Sequence, residues 1–175
     1  MEAHAVSESK ETGKKRKNSL RLIAVCGIMA AFVFLGTQIR IPTSIGYMNL
    51  GDAVILAASY VIGPAAFFPA AVGSALSDLI AGYPMYIAPT FIIKGLMGLV
   101  AGFMMKHPQH NPKLFMRIAS GIAAELIMVF GYYVFEYFVY GSAPALASVP
   151  FNLIQAGAAM IIAVPCSYLL KNVRV

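Results

Sequence analysis

The chain has 175 residues, 59% of them hydrophobic and only 11% charged, with a mean hydropathy of +0.76. A soluble domain of this size needs far more polar surface, so lipid must solvate much of it. The net charge of +6 does not describe a nucleic-acid-binding face, because the basic residues flank apolar runs instead of forming a patch on a folded surface. Transmembrane β-barrels read as alternating apolar and polar residues, and that alternation is absent. The expected architecture is an all-α integral membrane bundle.

Lys10, Lys14, Lys15, Arg16, Lys17 and Arg21 precede the first apolar run. Residues 1–20 read as a basic cytoplasmic tail that anchors the topology, with contact to anionic lipid as an added role. A cleavable signal peptide leading to a soluble form is excluded, because apolar runs continue to the C-terminal end. Residues 21–172 read as one membrane domain with six spans, at 22–38, 52–63, 64–82, 86–105, 118–140 and 149–170. Each full crossing needs roughly 20 apolar residues, so the short second span is expected to tilt or to be sheltered by its neighbours.

The apolar stretch 53–81 is interrupted by Gly63-Pro64, a dipeptide that opposes helix continuation. Charge decides between one helix and two. With two, eleven of the thirteen Lys and Arg residues fall on one side, Arg40 lies in an outer loop and Lys94 in a span. With one, the loop carrying Lys106, Lys113 and Arg117 would face outward, against the positive-inside rule. Six spans with both termini cytoplasmic is the reading adopted.

His107 and His110 are three apart, but Pro108 and Pro112 break any helix there, so a solvated turn is expected and no metal site. Cys26 and Cys166 read as small buried hydrophobes. No phosphate-binding loop, nucleophile triad or HExxH is present. An enzyme is not expected, and neither is a cofactor.

Asp52, Asp78, Glu125 and Glu136 lie in or against the spans, as does Lys94. Ionised groups at depth are costly, so a functional role is the default reading; the bland alternative is pairing that only holds helices together. Under the six-span topology Asn49 and Asp52 start helix two from outside, and Asp78 ends helix three there. Lys94 is about two turns into helix four, and Glu136 is about one turn from the outer end of helix five. Asn152 and Gln155 open helix six from the same side, and Glu125 lies deeper. At 100° per residue, Glu125, Tyr132 and Glu136 share a face. Polar anchors on one inner face suit a ligand cavity, with Tyr83, Tyr86, Tyr132 and Tyr133 available for stacking or, equally, for the interfacial belt. The expected site is Asn49, Asp52, Asp78, Tyr83, Lys94, Glu125, Tyr132, Glu136, Asn152 and Gln155. Lys94→Ala and Asn152→Ala are expected to weaken ligand binding in an assembled fold.

Ala24, Gly27 and Ala31 form a small-residue ridge on helix one that permits close helix contact, either inside the bundle or with another membrane protein. Gly95, Gly98 and Gly102 on helix four suit internal packing.

Four segments, IPTSIGYMNLGDAVILAASYVIGP, GSALSDLIAGYP, APTFIIKGLMGLVAG and VPFNLIQAG, resemble the substrate-binding S components of energy-coupling factor (ECF) vitamin transporters, in the branch grouped with riboflavin transporters. The resemblance spans roughly residues 20–170 and implies a six-helix S component. It further implies a transmembrane coupling subunit and two ATPases as partners, with toppling in the membrane to release substrate. In that family a small-residue patch on helix one meets the coupling subunit; the matching positions are Gly27 and Ala31, where glycine replaces one of the usual alanines.

The intramembrane acids set against Lys94 and Arg40 leave a formal balance of −2. That favours a ligand offering N–H or O–H donors over an uncompensated anion, hence hydroxymethylpyrimidine or pyridoxine before pantothenate or folate, with riboflavin and cobalamin open. The expected location is a bacterial cell membrane. The alternatives are a stand-alone proton-coupled secondary transporter using Glu125, Glu136 and Lys94, and an assembly protein whose charges only pair.

Overall fold

The computed structural model describes residues 2–43, 45–105, 112–170 and 173, with 2–14 as backbone only. The elements are α1 (Glu2–Gln38), β1 (Arg40–Pro42), β2 (Tyr47–Asn49), α2 (Gly51–Ile62), α3 (Phe67–Ala81), α4 (Ile87–Met105), α5 (Leu114–Tyr140) and α6 (Ser142–Leu169). Single 3-10 turns, Gly63–Ala66 and Pro84–Tyr86, join α2 to α3 and lead into α4. Among the described residues, five segments are long and apolar enough to cross a membrane: Lys15–Gln38, Gly51–Ala81, Pro84–Met105, Leu114–Tyr140 and Ser142–Leu169.

Helix directions follow from which levels meet. On α2, Asp52 pairs with Lys94, and the Ser59 hydroxyl lies 3.2 Å from the Gly98 carbonyl, so α2 runs parallel to α4. Just before α3, Ala66 lies against Gly98, while Ser77 near the other end of α3 meets Gln38, at the far end of α1, at 3.1 Å. The chain therefore reverses at 63–66. Gly63 makes this possible with φ +59°, a backbone state that side-chain-bearing residues avoid, and Pro64 supplies the second position of the 3-10 turn.

Burial locates the centre. The α2–α3 window is 61% buried, against 11% for that of α1, so α1 is a peripheral helix and most of its surface lies on the outside of the bundle. Beneath the polar end sits a core drawing on every helix, including Val33, Ile55, Ala70, Met97, Met128 and Ala156. The glycines of α4 are spent inside this bundle: a Cβ on Gly95 would meet the Phe67 ring, and one on Gly98 the Ala66 carbonyl.

Four features differ from the sequence reading. The basic segment, read as a tail, is continuous with the first helix, since α1 begins at Glu2; its residues are mostly good helix formers and contain no proline. α5 begins at Leu114 rather than 118, which carries Arg117 out of the loop and into the fold, where it is 2% exposed. α6 begins at Ser142 rather than 149. Gly141, at φ +88°, ends α5, and Pro144 falls in the first turn of α6, where its missing N–H has no helical acceptor to serve. Pro150 lies inside the helix. Finally, the segment after α1 folds as an antiparallel hairpin, pairing Arg40 with Asn49, Ile41 with Met48 and Pro42 with Tyr47. The turn at His107 and His110 lies outside the described residues. Among the described residues no cluster of His, Cys, Asp and Glu suits a metal ion.

Candidate functional site

The hairpin covers one end of the bundle, and a cavity lies beneath it. The cavity offers about 50 Å³ of space to water-molecule centres, several times the ~10–15 Å³ that one water needs. Asn49, Asp78, Tyr83, Lys94, Tyr132, Glu136, Asn152 and Gln155 are on its wall. Asp52 and Glu125 are not.

Asp52 lies just behind the wall at 0% exposure, ion-paired with Lys94 through Oδ1. Its Oδ2 accepts from Gln155 Nε2 at 2.6 Å, while Gln155 Oε1 accepts from the Asn49 backbone N–H at 2.7 Å. One chain of bonds thus runs from α4 through α2 and α6 to β2. Asn49 also uses its Oδ1 to accept from the Gly51 N–H at 2.9 Å, which ties the end of β2 to the first residue of α2. The Lys94 ammonium lies 5.4 Å from the Tyr132 ring centroid, close enough for a cation–π contact.

Opposite, Asp78 accepts from the Tyr47 hydroxyl. Burial first, and the Asp78 carboxylate next, raise the Tyr47 hydroxyl above the ordinary tyrosine range, so it remains a donor. Arg40 stacks on Tyr47, with its guanidinium carbon 5.0 Å from the ring centroid, and bonds the Ser77 hydroxyl at 3.1 Å. These contacts pin the hairpin to α3. Glu136 accepts from Ser148, and the Tyr86 hydroxyl lies 3.2 Å from Glu136 Oε1 and 3.3 Å from the Ile45 carbonyl. The Thr90 and Tyr132 hydroxyls are 2.9 Å apart. Asn152 Nδ2 has no hydrogen-bond partner among the described residues, leaving a donor at the wall.

Glu125 lies deeper and apart from the cavity. Tyr133 is not on the wall and packs against Tyr137. Arg117 sits far from this site, between the Tyr60 and Tyr168 rings at 4.5 and 4.1 Å, and donates to Pro112 O and Ser167 Oγ. Ala24, Gly27 and Ala31 are all exposed on α1, and a Cβ on Gly27 would meet nothing within 4 Å. The ridge takes no part in packing inside the bundle.

Sequence reasoning missed Ser74, Thr90 and Ser148, each on the cavity wall. Helical spacing held the signal: Ser74 is one turn before Asp78, Thr90 one turn before Lys94, and Ser148 one turn before Asn152, all on shared faces. Tyr47 had no such signal, because its place depends on the hairpin.

The sequence profile of the family described as "ECF-type riboflavin transporter, S component" matches residues 17–172. The chain belongs to this family. It is also 35% identical over 136 residues to a protein of Pyrococcus woesei described as "Uncharacterized protein in gap 3'region", covering 77% of this chain and 89% of that one. An ECF S component is the binding subunit of a transporter and not an enzyme, and the five long apolar segments make this one a multi-pass membrane protein.

Proposed function

We propose that this S component captures a water-soluble vitamin or vitamin precursor in the cavity under the hairpin, on the outer side of the plasma membrane. It passes the molecule inward together with a transmembrane coupling subunit and two ATPases. The observation that carries the reading is the convergence of polar residues from α2's approach, α3, α4, α5 and α6 on one cavity at one end of the bundle. Residues that merely stitch helices together have no need to surround a shared space.

The alternating helix directions support six crossings with both termini cytoplasmic. The hairpin end is then outside, and the basic segments face the cytoplasm. Toppling of the bundle would turn the cavity inward.

The family description names riboflavin, which makes it the first ligand to test. The wall itself favours a neutral ring with N–H or O–H donors, of hydroxymethylpyrimidine or pyridoxine type. Asp78 and Glu136 accept hydrogen bonds, and the charge of Lys94 is already matched by Asp52, so a free anion finds no uncommitted cation on the described wall. Mass spectrometry of small molecules released from the purified chain tests the proposal. A vitamin-like compound that rebinds supports it. The absence of any bound or rebinding compound from this set sinks it, and uptake by the isolated chain along a proton gradient would instead favour a secondary transporter.

Two variants separate capture from delivery. Asn152→Ala removes the unpartnered donor and should weaken ligand binding about 3- to 10-fold in equilibrium titration, the usual worth of one hydrogen bond, without unfolding the chain. Gly27→Leu places a side chain on the exposed ridge, where nothing in the fold obstructs it. Ligand affinity should be unchanged, while uptake in the reconstituted complex is abolished. Unchanged uptake would remove α1 as the docking surface.

A further inference from the structure

Glu125 on α5 is 4% exposed, and neither of its carboxyl oxygens has a hydrogen-bond partner among the described residues. It stands apart from the cavity wall. The charged side chains acting on it are Asp52 from α2 and Lys94 from α4. Those two are already paired with each other, and Gln155 from α6 completes the Asp52 carboxylate.

An ionised carboxylate held at depth without a single donor carries a desolvation penalty far larger than that of a neutral carboxylic acid. With Asp52 and Lys94 matched, a neutral Glu125 leaves the buried group without net charge. An ionised Glu125 would leave it at −1 and give the Lys94 ammonium a second carboxylate to follow. Lys94 has three N–H donors, so it can serve a second carboxylate without any change in its own chemistry.

We propose that Glu125 carries a proton in the folded protein and that this proton keeps Lys94 on Asp52, and through Asp52 and Gln155 holds the hairpin over the cavity. The link to the hairpin is the bond chain from Lys94 through Asp52 and Gln155 to the Asn49 N–H. Loss of the proton draws Lys94 toward Glu125, weakens the hold on Asp52, and loosens β2. Cavity closure is thereby tied to pH, whichever ligand the cavity takes.

The Glu125→Gln variant is the probe, because it keeps the size and neutrality of the protonated acid. Infrared spectra of the purified chain at neutral pH should show a protonated-carboxyl band in the wild type that is lost in Glu125→Gln. Unfolding by graded detergent denaturant between pH 5 and pH 8 reads the same proton independently. A glutamate in the unfolded chain ionises near 4.3, so above that pH folding takes up a proton and stability falls as pH rises. The wild-type unfolding constant should therefore rise up to about tenfold per pH unit relative to Glu125→Gln. An identical carboxyl band in both proteins, or parallel unfolding curves, would overturn the protonated state. A spin label on Met48→Cys, with Cys26 and Cys166 replaced by alanine, reads the hairpin. It should gain mobility above the pH at which the wild-type band disappears, and not in Glu125→Gln; equal order on both sides of that pH overturns the coupling.

Discussion

Lys94→Met should lower the stability of the folded chain by about 3–5 kcal/mol, the usual cost of leaving one member of a buried ion pair without its partner. Lys94 is 2% exposed and Asp52 is 0% exposed, so water does not take over the charge that is uncovered. Only the Gln155 amide would remain on the Asp52 carboxylate. The ion pair changes what is expected of Lys94: a substitution there should disturb assembly as well as binding, whereas Asn152, with its unpartnered Nδ2, remains the cleaner test of capture. The pair Asp52→Asn with Lys94→Met removes both charges and should recover much of the loss, because a matched neutral pair leaves no buried charge. Reversible unfolding of the two single variants and the double variant measures the coupling. A Lys94→Met loss below about 0.5 kcal/mol, within the range of ordinary surface substitutions, would mean that the pair is not buried as described.

Gly102→Leu should be the most damaging of the α4 glycine substitutions. A Cβ at Gly102 would stand 2.2 Å from the Gly63 carbonyl oxygen and 2.6 Å from the Pro64 nitrogen. Both obstacles are backbone, at the turn where Gly63 holds φ +59°, so no side chain can move aside. Overpacking typically costs about 1–3 kcal/mol, and a rigid backbone obstacle places this change at or above the top of that range. The expected sign is a marked fall in the thermal midpoint of the purified protein, together with loss of the close approach of α4 to the turn between α2 and α3. Gly27→Leu is the control, since nothing lies within 4 Å of its added carbon. Equal midpoints for the two variants would contradict the packing of α4 against the turn.

Asn49, Asp78, Lys94, Glu136 and Gln155 were legible as a set, because polar groups are so rare in the apolar spans that each one stands out and the span boundaries fix its depth. Their partners were not legible. Lys94 had four carboxylates to choose from, and only the relative rotation of α2 and α4 gave it to Asp52. Arg117, counted among loop charges, is instead stacked between two tyrosines, because α5 extends four residues beyond the apolar run that marked it. The α1 ridge admitted two readings from spacing alone; exposure on the outer face of a peripheral helix removes internal packing.

By itself the sequence determined the solvent, the helical class, the common depth of the costly polar residues and the family. Each of these follows from local composition, local spacing or aligned motifs, which survive without knowledge of how helices meet. Tertiary structure alone decided that a hairpin roofs the cavity, that Tyr47 reaches Asp78, and that Glu125 has no hydrogen-bond partner among the described residues. Those outcomes depend on the rotation and approach of helices far apart in the chain. A shift of one residue turns a side chain by 100°, enough to exchange a partner for lipid or for an empty neighbour.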